Sequence, residues 1–94
     1  MKVRPITDYV LTLPARVELL RRGLSEDTVR AILAQPEQQL EVRPGRVVLQ
    51  SRISAGAGAA TLLVRVFVDV DRTPAEVVTV YRTSKVEKYW RGQP

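Results

Sequence analysis

The sequence predicts an α+β fold: an N-terminal helical hairpin packed on one face of a roughly four-stranded, twisted antiparallel sheet. Three observations carry that prediction. The first third places apolar residues at helical spacing between clear cap signals. From Gln39 onward the period changes to alternation, the pattern of half-buried strands. Turn residues then divide the alternating part into runs of strand length. At 94 residues the chain reads as a single domain, residues 1–94, with room for a modest core.

Residues 1–10 read as a lead-in, with room for a short edge strand. Thr12 is a good N-cap and Pro14 suits a first helical turn. The helix they open runs to Arg22. Its buried stripe is expected to be Ala15, Leu19 and Leu20, with Arg16, Glu18, Arg21 and Arg22 facing out. Gly23 closes it in a left-handed cap. Ser25 caps a second helix whose first turn carries Glu26 and Asp27, the sign that the helix dipole favours. Leu24 and Val29 stand at the positions of a hydrophobic staple. Val29, Ile32 and Leu33 form the inward face, and Pro36 stops the helix.

The strands follow. Leu40 to Arg43 is the first, Pro44-Gly45 the turn, and Arg46 to Ile53 the second. Residues 54–60 form a small-residue loop. No Gly-Lys-Ser/Thr follows it, so it reads as a hairpin tip rather than a phosphate loop. Leu62 to Val70 is the third strand, residues 71–76 with Pro74 a turn, and Val77 to Thr83 the fourth. Residues 84–89 read as a final half-turn or short strand.

Composition restricts the chemistry. There is no cysteine, hence no disulfide and no thiolate nucleophile, and no histidine, the commonest general base and zinc ligand. Any catalysis must run on Arg, Lys, Tyr, Ser, Thr or carboxylates. Asp69 and Asp71 share a strand end, where two carboxylates are usually solvated, so neither metal nor cofactor is expected. Basic residues outnumber acidic ones by 15 to 10, and twelve of them are arginine, whose planar fork suits phosphate and carboxylate. A net charge of +5 fits an acidic partner, either RNA or an acidic antitoxin-like protein. Many small proteins are simply basic, which is the bland alternative. The N-terminus lacks an apolar signal core and no apolar run approaches a membrane span, so a cytoplasmic protein without membrane contact is expected.

Strand alternation sorts the side chains into two faces. Leu62, Val64, Val66 and Val68, with Val47, Leu49, Ile53, Val78 and Val80, are expected to meet the helices. The opposite face gathers Gln50, Arg52, Arg65, Phe67, Tyr81 and Thr83. Arg82 stands at a strand end, and Lys85, Lys88 and Tyr89 follow in the tail. Arginine forks suit phosphate, and aromatic faces suit splayed bases. An antiparallel sheet also commonly leaves one face to solvent, for which Arg, Thr and Tyr are ordinary residues.

Several short motifs occur in a familiar order. Leu11-Thr12-Leu13-Pro14-Ala15-Arg16, Arg21-Arg22-Gly23-Leu24-Ser25-Glu26-Asp27-Thr28-Val29 and Ala34-Gln35-Pro36-Glu37 come first. Gly45-Arg46-Val47-Val48-Leu49-Gln50-Ser51-Arg52, Leu63-Val64-Arg65-Val66 and Val78-Thr79-Val80-Tyr81-Arg82-Thr83-Ser84-Lys85-Val86-Glu87-Lys88-Tyr89-Trp90 come later. Together they resemble the domain of unknown function 4258 family over nearly the whole chain. The resemblance implies kinship with compact RNase toxins of the RelE and barnase-like group, a RelE-like fold, and RNA on the open sheet face. It implies Arg52, Arg65, Tyr81 and Lys85 as candidate catalytic residues of a metal-independent endoribonuclease. Arg16, Gln50, Arg82 and Tyr89 would bind the substrate, joined by Phe67 and Lys88 from the reading of the open face and tail. Family members commonly carry histidine where this chain has Pro14, which puts histidine-based cleavage out of reach here.

Three readings stay open. The first is an RNase-toxin-like protein in which Arg52, Arg65 and Arg82 hold the phosphate and Tyr81 or Lys85 assists the 2′-hydroxyl. The second is a non-catalytic module that grips RNA or an acidic protein with the same patch. The third is a structural role, with a homodimer formed through the sheet edge at residues 40–43.

Overall fold

The computed structural model describes residues 3–54 and 60–92. Most of the loop expected at 54–60 lies outside the described residues. The elements run β1 (Tyr9–Leu11), α1 (Leu13–Arg22), α2 (Glu26–Ala34), β2 (Gln38–Arg43), β3 (Arg46–Ser54), β4 (Thr61–Asp69), β5 (Ala75–Thr83) and α3 (Val86–Tyr89). The class is α+β, with both long helices packed on one five-stranded sheet.

Local chemistry explains the helix ends. The Thr12 hydroxyl accepts a hydrogen bond from Ala15 N, and Pro14 lies in the first turn of α1. Gly23 takes φ +63° and its N–H reaches back to the carbonyls of Leu19 and Leu20, a left-handed cap that glycine adopts without steric cost. The Ser25 hydroxyl accepts from Thr28 N at the start of α2. Gly45 turns β2 into β3 at φ +86°, and a Cβ there would stand 2.6 Å from Asp71 Oδ2. Only glycine fits that turn.

The sheet order is β1-β5-β4-β3-β2. β2 to β5 form an antiparallel meander, as expected, but β1 adds a fifth strand parallel to β5, with Tyr9 opposite Ala75 and Leu11 opposite Val77. The sheet is therefore mixed rather than purely antiparallel. Three residues of lead-in are too few to show a period, but they find a partner because β5 would otherwise be a bare edge. At the other edge, the register of β2 shifts between Glu41 and Arg43. Such a bulge twists an edge away from further pairing.

The main core lies between the helices and the sheet. It joins Ala15, Leu19, Val29, Ile32 and Leu33 to Leu49, Val64, Val66, Val68, Val77 and Val80. Two expectations fail here. Leu20 is 83% exposed rather than inward, because the side of α1 turned to the sheet is the one that carries Ala15 and Leu19. On β5 the core residue is Val77, not Val78: Phe67 pairs with Thr79 while Val68 pairs with Val77, so the strand bulges at Val78 and its alternation slips by one.

Candidate functional site

The face away from the helices carries a straight polar row across four strands. The register sets Gln38 opposite Gln50, Gln50 opposite Arg65, and Arg65 opposite Tyr81. Period two keeps all four side chains on one side. Sequence alternation placed Gln50, Arg65 and Tyr81 there and missed Gln38, because β2 begins two residues before Leu40, where the alternation looked to start.

The face is not open. After Thr83 the chain turns back and α3 settles beside β4. The Gln38 amide grips this returning segment as a strand neighbour would: Nε2 donates to Arg91 O at 2.6 Å and Oε1 accepts from Arg91 N at 3.1 Å. Gln50 Nε2 donates to Gln38 Oε1 at 2.7 Å and to Tyr89 O at 3.1 Å. Its Oε1 accepts from Arg65 Nε at 2.8 Å. Gln50 is fully buried, as are Val48 and Leu63 on the same face. Gln50 is therefore a tail anchor with every amide atom engaged, not an accessible binding residue.

Arg65 is the unusual group. Its guanidinium lies 4.3 Å from the Tyr89 ring centroid and 5.2 Å from that of Phe67. Among the described residues it meets no carboxylate, and Gln50 is its one hydrogen-bond partner, so both terminal nitrogens are uncommitted. Burial holds its pKa below the ordinary value and nearby Arg91 adds repulsion, while Tyr89 pulls the other way. A half-buried cation without a counter-ion is costly, and an anion arriving beside it relieves that cost.

Tyr81 stands beside Arg65 and meets Tyr89 edge-on, with centroids 5.9 Å apart. Arg22, at the end of α1, lies 4.8 Å from the Tyr81 ring. The neighbouring Tyr89 and Thr83 side chains hold the Tyr81 phenol below its usual pKa, with Arg22 and Lys88 adding positive charge. Lys88 Nζ lies 5.5 Å from the Tyr89 ring.

Arg52 is different. Glu37 accepts from its Nε at 3.2 Å, its terminal nitrogen at 2.9 Å and its backbone N at 2.7 Å. This pairing raises the Arg52 pKa and lowers that of Glu37. The guanidinium also covers the Trp90 ring at 4.1 Å. Its charge is already spent on the fold. Beside it, Arg52, Thr61, Val86, Glu87, Trp90 and Gly92 line a cleft of about 370 Å³. The buried indole N–H of Trp90 has no partner among the described residues.

The remaining candidates are dispersed. Arg16 sits on α1 in an exposed pair with Glu26. Arg82 lies opposite Val64, a residue of the helix-covered face, and is exposed. Lys85 is exposed at the turn into α3, where it and Lys88 line a shallow cleft with Ser84 and Glu87. The structure thus brings together Arg65, Phe67, Tyr81, Tyr89 and Lys88, and adds Arg22 and Arg91, which sequence reasoning did not select.

Compared with family models, curated proteins and solved structures, the chain finds no match. Fold and site define an α+β protein with an aromatic-lined cationic sheet face. No helix among the described residues is long and apolar enough to cross a membrane.

Proposed function

We propose that this protein binds single-stranded RNA on the sheet face centred on Arg65. One observation carries the reading: Arg65 is half-buried against two rings, steered by Gln50 Oε1, and left without a carboxylate. A phosphate supplies the missing counter-charge, and the exposed parts of Tyr81, Tyr89 and Phe67 offer faces on which bases stack. The short sequence motifs that resemble the 4258 family, for which no family model matches the chain, would imply the same partner. Fluorescence anisotropy with unstructured RNA oligonucleotides tests it. Affinity falls steeply with salt, and Arg65→Ala weakens it at least about tenfold and flattens the salt slope. Salt-independent binding, or full affinity in Arg65→Ala, contradicts the proposal.

A second reading adds cleavage, favoured by the placement of the Tyr81 phenol directly across from Arg65, with Arg22 4.8 Å from its ring and its pKa held below the usual value. The Tyr81 phenolate takes the 2′-hydroxyl proton, the 2′-oxygen attacks phosphorus, and the 5′-oxygen leaves with a proton from solvent. A 2′,3′-cyclic phosphate and a 5′-hydroxyl result. Arg65 stabilises the charge that builds on the phosphorane. Because the phenolate is the active form, the rate climbs with pH and levels off at a value below about 10. Tyr81→Phe removes cleavage and leaves RNA affinity within about twofold. Cleavage that survives in Tyr81→Phe rules this reading out and leaves the binding module.

A further inference from the structure

α1 has a second apolar face that none of the described residues covers. Leu13, Val17 and Leu20 are 74%, 46% and 83% exposed. Their spacing of i, i+4 and i+7 makes one stripe along a ten-residue helix. The helix already buries Ala15 and Leu19 against the sheet, so this stripe is additional to the core. A contiguous exposed stripe differs from the scattered leucines of ordinary surfaces.

The flanks tell what fits. At about 100° per residue, Arg16 falls on one side of the stripe and Arg21 on the other. Each is held only in an exposed ion pair, Arg16 to Glu26 at 3.2 Å and Arg21 to Glu18 at 2.7 Å. Such pairs are weak and readily exchanged. If a second copy docked here antiparallel, Arg16 would face Arg16 and Arg21 would face Arg21. If it docked parallel, Arg16 would face Arg21. Either arrangement sets like charges together. Three side chains also make a patch on the order of 300 Å², against roughly 800 Å² per partner in a stable dimer.

We infer that the outer face of α1 is a docking site for one amphipathic helix of another protein, with leucine-like residues along one stripe and carboxylates on both sides of it. The partner's stripe packs along Leu13, Val17 and Leu20, and its carboxylates take Arg16 and Arg21 from Glu26 and Glu18. This is helix-on-helix packing, with apolar anchors giving affinity and flanking charges giving orientation. It is independent of the RNA reading, because the stripe lies on the helix side of the sheet.

The test uses two lactam-stapled helical peptides with leucines at i, i+4 and i+7, one flanked by glutamates and one by lysines. Anisotropy measures their binding to the full chain. The glutamate peptide binds at least about tenfold tighter. Leu13→Glu/Leu20→Glu abolishes that binding while thermal unfolding is unchanged, and Arg16→Glu/Arg21→Glu reverses the preference. Amide shifts induced in the wild-type protein map to residues 10–24, which keeps the test valid if a variant misfolds. Equal binding of both peptides, binding of neither, or shifts centred on the Arg65 face overturns the inference. So does a dimer in sedimentation that Leu20→Glu dissolves, since the occupant would then be a second copy.

Discussion

The two faces of the sheet are covered by different chemistry. One is sealed by two helices through Val, Leu and Ile side chains, and it obeys the alternation of the strands apart from the bulge at Val78. The other is partly covered by seven residues of returning chain, held through glutamine amides and arginine–ring contacts. Apolar burial needs only matching shape, and it tolerates any neighbour that excludes water. Amide gripping needs each donor and acceptor met, because an unmade buried hydrogen bond costs more than a made one contributes. The helix face is therefore where stability is concentrated. The tail face is where a cation could be left unpaired at tolerable cost.

The largest effects should fall on the helix face. Leu49→Ala removes a fully buried side chain from the main cluster and should cost about 2–5 kcal/mol in urea unfolding, with RNA affinity intact in the folded fraction. Gln50→Ala should cost about 1–3 kcal/mol, because Gln38 Oε1 loses one of its two donors and the Tyr89 carbonyl and Arg65 Nε lose their contact with the amide. Its signature is local: amide exchange of residues 86–92 should quicken more than that of β4. Equal quickening everywhere would mean that the tail is not a separate unit.

A smaller effect comes from acid. Arg46 donates to Asp69 through Nε at 2.6 Å and through a terminal nitrogen at 3.0 Å. This contact, with Arg72 beside it, holds the Asp69 carboxyl below its usual range, and Arg52 does the same to Glu37. A depressed folded-state pKa means that the contribution is present above about pH 4 and is lost as pH falls through the folded-state value. Urea midpoints should drop in that window, and Asp69→Asn should flatten the drop. A variant with the wild-type acid profile would show that the pair adds nothing.

Sequence reading recovered much of the helix face and less of the other. Caps at Thr12, Gly23 and Ser25, and the inward sides of α2 and β4, follow from local rules that tertiary contacts seldom override. Leu20 escaped because periodicity allows a wider stripe than the sheet contact uses. The tail face escaped because alternation says which way Gln50 points, not what lies over it. The Gln38 grip spans 53 residues, and nothing local marks either end. Arg52 and Arg65 look alike as strand arginines, and only Glu37, fifteen residues upstream of Arg52, separates a neutralised cation from a bare one.

The most direct test of this account is Arg65→Met, measured for both stability and RNA affinity. Methionine keeps the apolar stem against Tyr89 and Phe67 and removes a desolvated charge. The predicted result is a stability loss of no more than about 1–3 kcal/mol, because Gln50 Oε1 loses its donor while the desolvated charge is removed, with RNA affinity reduced at least about tenfold and a shallower salt slope. A larger loss of stability with unchanged RNA binding would contradict it, and would make Arg65 a structural arginine like Arg52.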